Sequence, residues 1–409
     1  EYFRANFDSQ EGGFRSAPKF PTPHNILFLF RYWKRTGKDE ALSMAEKTLT
    51  EMAKGGIYDH LGGGFHRYST DNKWRIPHFE KMLYDQAMLL QAYLEAYQIT
   101  GKAEYREVAK DILEYVLRDM TSPQGGFYTA RDADSYTDHE KSEKKEGAFY
   151  LWGKDEIIKI LGLKEGEVFC YYSGIEEKGN ALYDPHMEFK RKNVIYKAHT
   201  VREVAVRFQK TEEEIIAILK ESKEKLLKVR DKRIRPALDD KILTDWNGLM
   251  ISSCALASRV LDEPRYKLAA EKAAKFILGN LLGKNDRLLH RYRDKDADIL
   301  ATIDDYAFFI HGLFDLYEAT FNVEYLERAK KLTDEMITLF WDKENGGFFF
   351  TGHDAEKLLL RQKEIYDGAL PSGNSIAALD LIRLGRLTME AKFEEKSEIL
   401  FKSFSEKIS

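Results

Sequence analysis

The sequence predicts an all-α fold, an (α/α)6 barrel of six helical hairpins with short β-hairpins in the loops at one end. Three observations predict it: a repeat of about sixty residues, two alternating kinds of helix within that repeat, and a consistent difference in length between its two kinds of connection.

In each unit a helix apolar nearly all round leads through a tight turn to a helix apolar along one stripe. One copy runs from Asp85-Gln86-Ala87-Met88 through Thr100-Gly101-Lys102 to Tyr105 and Ala109. Another runs from Asp304-Asp305-Tyr306 through Phe321-Asn322 to Tyr325 and Ala329, and a third from Asp245-Trp246-Asn247-Gly248 through Asp262-Glu263-Pro264 to Tyr266 and Ala270. Each Tyr lies four residues before its Ala, which keeps the two on one helical face. Weaker copies begin at Pro23-His24 and at Ala369-Leu370-Pro371. The sixth is expected within 154–230, where Lys154–Leu161 and Val201–Phe208 read as helices and Thr211 with Glu214 reads as a capping box; this unit is irregular and carries an insertion, Gly174–Lys197. A helix apolar on all sides must be buried on all sides, so the alternation describes an inner ring wrapped by an outer one. The inner-to-outer turns are short and the outer-to-inner connections long. In an up-and-down ring, every long loop and every inner-helix N-terminus then shares one end of the barrel.

At 409 residues the chain exceeds the ~250–300 at which single cores usually stop growing, and the repeat resolves this as one closed domain over 1–409. With 43% hydrophobic and 32% charged residues it can bury a large core. A net charge of −4, from 64 basic and 68 acidic side chains, gives no footing for a nucleic-acid partner. Two cysteines, Cys170 and Cys254, cannot build a disulfide scaffold or a zinc ribbon, and a reducing, cytoplasmic setting is expected. Apolar runs stop well short of the ~18–20 residues of a membrane span, and Glu1-Tyr2-Phe3-Arg4 lacks the features of a signal peptide. Without an initiator Met, the chain reads as a fragment.

The loops of the functional end concentrate histidines, carboxylates and aromatics. His78, Glu80, His66, Asp245 and Asp304 are the catalytic candidates; Trp74, Tyr84, Asp85, Arg131, Asp132, Asp134, Trp246, Tyr306 and Asp367 are the substrate-binding ones. Aromatic faces take the C–H surfaces of a pyranose, charged planar groups bind its hydroxyls, and a histidine or a protonated carboxyl moves the proton. A small carbohydrate is the expected partner. Each feature also has a plainer reading. Gly125-Gly126-Phe127 and Gly346-Gly347-Phe348 are hairpin turns, Asp245 and Asp304 are N-caps, and Pro77 marks a helix start that puts His78 and Glu80 in a first turn. There the helix dipole would keep Glu80 ionised and the imidazole neutral. His60, His66 and His78 have no recognised metal-ligand spacing, and neither a metal nor a cofactor is expected. Two enzyme chemistries stay open. An epimerase or isomerase would use His78 with another histidine of this face such as His66 or His24, and a glycosidase-like hydrolase would pair Glu80 or Asp85 with Asp245 or Asp304. The alternative is a non-catalytic ligand- or protein-binding module.

The runs Ala17-Pro18-Lys19-Phe20-Pro21, Gly62-Gly63-Gly64-Phe65-His66-Arg67-Tyr68, Pro77-His78-Phe79-Glu80-Lys81-Met82-Leu83-Tyr84-Asp85-Gln86, Asp132-Ala133-Asp134-Ser135, Glu146-Gly147-Ala148-Phe149-Tyr150-Leu151-Trp152, Thr244-Asp245-Trp246-Asn247-Gly248 and Leu370-Pro371-Ser372-Gly373-Asn374-Ser375 resemble a family. It is that of the thioredoxin-domain-containing proteins related to the spermatogenesis-associated, thioredoxin-like protein. The resemblance covers almost the whole chain. It implies a barrel similar to N-acylglucosamine 2-epimerase and the six-hairpin glycosidases. It also implies an N-terminal thioredoxin-like domain as a working partner and a C-terminal tail, both outside this sequence. It carries no settled reaction.

Overall fold

Helix starts and stops follow local chemistry. In a computed structural model that describes residues 1–138, 140, 143–181, 189–357 and 359–405, the short α1 (Tyr2–Asn6) is followed by α2 (Pro23–Thr36) and α3 (Asp39–Lys54). α2 opens on a proline, whose missing N–H costs nothing in a first turn, and stops at Gly37 with φ 68°, a backbone state glycine reaches without strain. The loop that follows holds β1 (Tyr68–Ser69), β2 (Pro77–His78) and β3 (Lys81–Met82), then α4 (Leu83–Thr100) and α5 (Ala103–Asp119).

After β4 (Ala130–Arg131), β5 (Asp134–Tyr136) and β6 (Lys144–Glu146) come four helices, α6 (Lys154–Leu161), α7 (Leu163–Tyr172), α8 (Val201–Phe208) and α9 (Glu212–Arg230). The chain continues through β7 (Leu238–Asp239) and β8 (Ile242–Leu243) to α10 (Thr244–Val260) and α11 (Pro264–Asn280), then β9 (Leu289–Arg293) and β10 (Asp296–Leu300). It closes with the pairs α12 (Ile303–Thr320) and α13 (Val323–Phe340), and α14 (Gly373–Thr388) and α15 (Ala391–Ser403). All strand pairs are antiparallel and between two and five residues long, as expected of loop hairpins.

The fold is mostly helical and of the (α/α)6-barrel type. The inner helices follow one another around the axis, α2 beside α4, α4 beside α10, α10 beside α12 and α12 beside α14, each backed by its outer partner. The repeated Tyr and Ala do what their spacing predicts. Tyr105, Tyr266 and Tyr325 are buried with Ala109, Ala270 and Ala329 on the inward faces of α5, α11 and α13. The seam between α10 and α12 is the tightest: a Cβ on Gly248 would lie 2.4 Å from the Phe308 carbonyl, and one on Gly312 would lie 2.5 Å from the Gly248 oxygen.

The region 154–230 departs from the expected sixth unit. Its helices pack on one another, α6 on α7, α7 on α9 and α8 on α9, around two small apolar clusters of their own, while α4 and α10 touch directly. The reason is size and pattern. α6 and α7 have 8 and 10 residues, about 12–15 Å of rise and too short to line the barrel. α9 buries only Ile215, Ser222, Leu226 and Arg230, a single stripe that cannot be enclosed on every side. Part of the expected insertion, 182–188, lies outside the described residues. Among the described residues no helix is long and apolar enough to cross a membrane.

Candidate active site at the loop end of the barrel

Two ionisable groups assemble at the starts of the inner helices. The first is built on α10, α12 and α14. Asp245 and Asp304 fall in the first turns of α10 and α12, and neither caps its own helix. That task falls to Asp305, whose Oδ2 accepts from Thr302 N at 2.8 Å while its Oδ1 meets His290 Nδ1 at 2.8 Å and accepts from Asp245 N at 3.2 Å. Asp304 Oδ1 instead accepts from Gly373 N, at 2.8 Å, in the first turn of α14. A Cβ on Gly373 would stand 2.4 Å from that oxygen, so only glycine allows the contact.

Burial, reinforced by the Asp305 charge, lifts the Asp304 carboxyl from the usual 3.8 to about 6. The same two causes raise Asp245 well above the carboxylate range. Helix N-termini pull the other way, since a macrodipole favours the anion by ~0.3–1 kcal/mol. Two pKa units are worth about 3 kcal/mol, so desolvation and repulsion win. His290, despite burial, is raised to about 9 by Asp305. Asp245, His290 and Asp305 place ligand atoms within 4.8 Å of one another. Within this trio His290 Nδ1 lies 2.8 Å from Asp305 Oδ1, and burial with the Asp305 charge favours the neutral form of Asp245.

The second group surrounds His78. Its Nδ1 lies 2.7 Å from Glu146 Oε1, and its Nε2 lies 3.7 Å from Glu80 Oε2. Arg67 donates to Glu80 at 2.8 Å, and Tyr68 stacks on the His78 ring. The hydrogen bond to Glu146 and the nearby Glu80 carboxylate raise His78 from 6.5 to about 9, and the His78 and Arg67 partners hold Glu80 below its usual value against the effect of burial. The expected neutral imidazole in a helical first turn is therefore corrected. Pro77 and His78 form β2 against Tyr68 and Ser69, α4 begins only at Leu83, and two carboxylates replace the helix dipole as the controlling field.

The two groups are joined. The Arg67 guanidinium acts electrostatically on the Tyr84 hydroxyl. Tyr84 packs edge-on against Trp246 with centroids 4.9 Å apart, and Trp246 adjoins Asp245. Asp85, beside Tyr84, is buried with Oδ2 unpaired, and burial raises its carboxyl well above the ordinary range. At the far end of the arc Asp367 accepts from Ser372 N and the Ser375 hydroxyl, both at 2.8 Å, and its charge reaches His24 on α2.

Other sequence candidates stand apart from this arc. His66 is 2% exposed, bonded to the Phe79 carbonyl and enclosed by Phe79 and Tyr150. Trp74 is fully buried under the N-terminal segment, donating to the Glu11 carbonyl. Tyr306 points outward to Glu335 of α13 and to Arg287. Arg131 donates to the Pro236 and Asp119 carbonyls. Asp132 and Asp134 sit on the β5–β6 hairpin with Lys144, 2.7 and 4.0 Å away. In each case the residue type suits a binding face, but the local backbone, helical at Tyr306 and strand or loop at the others, turns the side chain elsewhere.

Three members of the arc were not singled out from sequence. Glu146 lies within a motif quoted for its family resemblance, and Asp305 is the neighbour of the aspartate chosen. His290 sits on β9 in Leu289-His290-Arg291-Tyr292-Arg293, a strand with no alternation of apolar and polar residues to mark it in the sequence. Hollows of ligand size among the described residues include one of about 530 Å³ that separates α3 and α5 from α7 and α9, one of about 690 Å³ that reaches Glu146 from the side of the inserted helices, and one of about 590 Å³ between α13 and the loop carrying Arg287 and Leu289.

Since His78 is raised in the folded state, its contribution to stability is complete below the unfolded 6.5 and is lost as pH climbs through about 9. In Glu146→Gln an NMR titration of His78 should show its midpoint falling toward 6.5, and the loss of stability should be larger at pH 6 than at pH 9. An unchanged midpoint would remove Glu146 as the cause.

No family model matches the chain. Human spermatogenesis-associated protein 20 is 40% identical over 98% of the chain, which spans 54% of that protein's length, so the homology concerns its barrel part. A glycoside hydrolase family 76 α-mannanase from Bacteroides thetaiotaomicron shares 11% identity, over 98% of this chain and 79% of its own, with a TM-score of 0.53. A family 105 glycoside hydrolase from C. acetobutylicum shares 10% identity over 94% and 76%, with a TM-score of 0.52. A sugar epimerase from a ruminal bacterium, at 16% identity over 94% and 95%, has a TM-score of 0.39.

Proposed function

We propose that this homologue of the barrel part of spermatogenesis-associated protein 20 acts on a small carbohydrate by acid/base chemistry at the loop end of its barrel. Asp304 is the proton donor and Glu80 its ionised partner. The observation that carries the reading is the separation of ionisation states: burial keeps the Asp304 carboxyl titrating near 6, whereas His78 and Arg67 keep Glu80 a carboxylate. Trp246, partly exposed and held edge-on against the buried Tyr84, offers the aromatic surface a pyranose ring stacks on. Asp245, which burial and the Asp305 charge push toward its neutral form, hydrogen-bonds a sugar hydroxyl. The solved barrels of the same type include an α-mannanase and a family 105 glycoside hydrolase, which supports a saccharide ligand.

Hydrolysis is favoured over epimerisation. An epimerase needs two groups able to move a proton beside a carbonyl near pH 7; of the histidines put forward for this, His78 is held protonated and His66 is enclosed, which leaves His24 alone, its basicity lowered by burial. A panel of α- and β-linked disaccharides, aldoses and ketoses followed by NMR in deuterated water should give new reducing ends without exchange at C2.

Asp304→Asn should lower turnover by roughly 10²–10⁴-fold. The same change should stabilise the fold. A raised carboxyl pKa penalises the folded state as pH rises from about 4 to about 6, so the variant should be more stable by about 2–3 kcal/mol at pH 7.5 and indistinguishable near pH 4. Retained turnover would sink the assignment of Asp304. If no saccharide is bound or turned over by the wild type, a non-catalytic binding module replaces the enzymatic reading.

A further inference from the structure

Away from the barrel mouth, the C-terminus of α9 meets α5, β3 and β4 around a cavity of about 20 Å³. That is room for one water-sized occupant, since ~10–15 Å³ already suffices for a water. Its walls carry four cationic side chains, Lys81, Arg131, Arg230 and Arg235, against three anionic ones, Asp59, Asp119 and Asp231. The carboxylates are already committed. Asp59 accepts from Lys81 at 2.8 Å and from Arg230 Nη1 at 2.7 Å, and Arg235 bridges Asp119 and Asp231 at 2.6 and 2.9 Å.

Two polar groups on residues lining this cavity have no partner. They are the hydroxyl of Tyr115 and the Nε–H of Arg230, on side chains 3% and 4% exposed. The Tyr115 hydroxyl lies within the fields of Asp59, Asp119, Arg131 and Tyr150, all of which line the same hollow. A buried donor left unsatisfied is costly, and two of them on residues that line one 20 Å³ space call for a shared acceptor. A water could accept from both, but would then have to place its own hydrogens on carboxylates that the arginines and Lys81 already occupy. An anion accepts from both, donates nothing, and cancels the excess positive charge.

We propose that this cavity is a binding site for one small monovalent anion of halide size, held by the Tyr115 hydroxyl and the Arg230 Nε–H. The ion joins the inserted helices to the barrel, because Arg230 ends α9 while Lys81 lies on the strand that runs directly into α4, with Tyr84 and Asp85 in its first turn.

Crystals grown or soaked in sodium bromide give the direct test. Anomalous scattering should place a bromide within hydrogen-bonding distance of Tyr115 Oη and Arg230 Nε. In solution, thermal unfolding at constant ionic strength should shift upward by about 2–4 °C when bromide replaces methanesulfonate, an anion too large for the cavity. Tyr115→Phe keeps the ring and its packing but removes the donor, and should abolish most of that anion-dependent shift. An ordered water in the cavity with no bromide peak would overturn the proposal. So would a wild-type transition indifferent to the anion, or a Tyr115→Phe variant with the full shift.

Discussion

Asp59→Ala is expected to destabilise the protein by about 3–5 kcal/mol, because it removes the carboxylate that the buried Lys81 and Arg230 share. Lys81 is fully buried and Arg230 nearly so, and Asp59 also accepts from the Leu61 and Gly62 backbone at 3.1 and 3.0 Å. Burial alone would raise the Asp59 carboxyl; Arg230 and Lys81 reverse this and hold it well below the usual range. Burial likewise pushes the Lys81 ammonium down from 10.5 to about 8, and in the variant it should fall further. A lysine whose folded pKa is depressed gains stability as pH rises, because the unfolded chain then binds the extra proton. The deficit of Asp59→Ala, measured by urea unfolding, should therefore shrink between pH 7 and pH 9. A deficit below ~1 kcal/mol, or one independent of pH, would mean that the cluster is hydrated in solution.

Gly248→Ala should cost at least about 3 kcal/mol and could prevent folding outright, although Ala favours a helix over Gly by ~1 kcal/mol. The added methyl would sit 2.4 Å from the Phe308 carbonyl carbon and oxygen and 2.6 Å from Phe309 N. These are backbone atoms of a neighbouring inner helix, so no side-chain rotation relieves the clash. α10 and α12 must separate, and the contacts of the whole seam loosen with them. Gly279→Ala supplies the control. Gly279 lies within α11 with nothing within 4 Å of its added Cβ, and there the propensity gain should appear as unchanged or slightly higher stability. Equal effects of the two substitutions in chemical denaturation would falsify the close-approach account.

Much of the barrel was legible because its signals are local. A helix buried on all sides must be apolar on all sides, and a Tyr four residues before an Ala stays on one face wherever the hairpin docks. The inner and outer helices of five hairpins, their short turns and the helix starts carrying Asp245 and Asp304 are set by such neighbours along the chain. The region 154–230 misled because capping boxes at Thr200 and Thr211 certify helices without saying what covers them. Pro77 misled in the same way. A proline suits a first helical turn, but it equally suits a short strand, and the pairing of Pro77-His78 with Tyr68-Ser69 decides between them.

By itself the sequence determined which segments are helices, which faces they bury and which ends of the inner helices gather the long loops. Only the tertiary structure decided the ionisation states and the partnerships. Asp304 meets Gly373 across 69 positions, His78 meets Glu146 across 68, and Arg230 meets Asp59 across 171. The physical reason is a difference of range. Helix formation and facial patterning depend on residues within a turn or two, whereas a pKa depends on desolvation and on charges a few ångströms away in space, whatever their distance along the chain. His78 and Asp304 therefore kept their places near the barrel mouth, but the folded chain made the histidine a cation and the aspartate an acid.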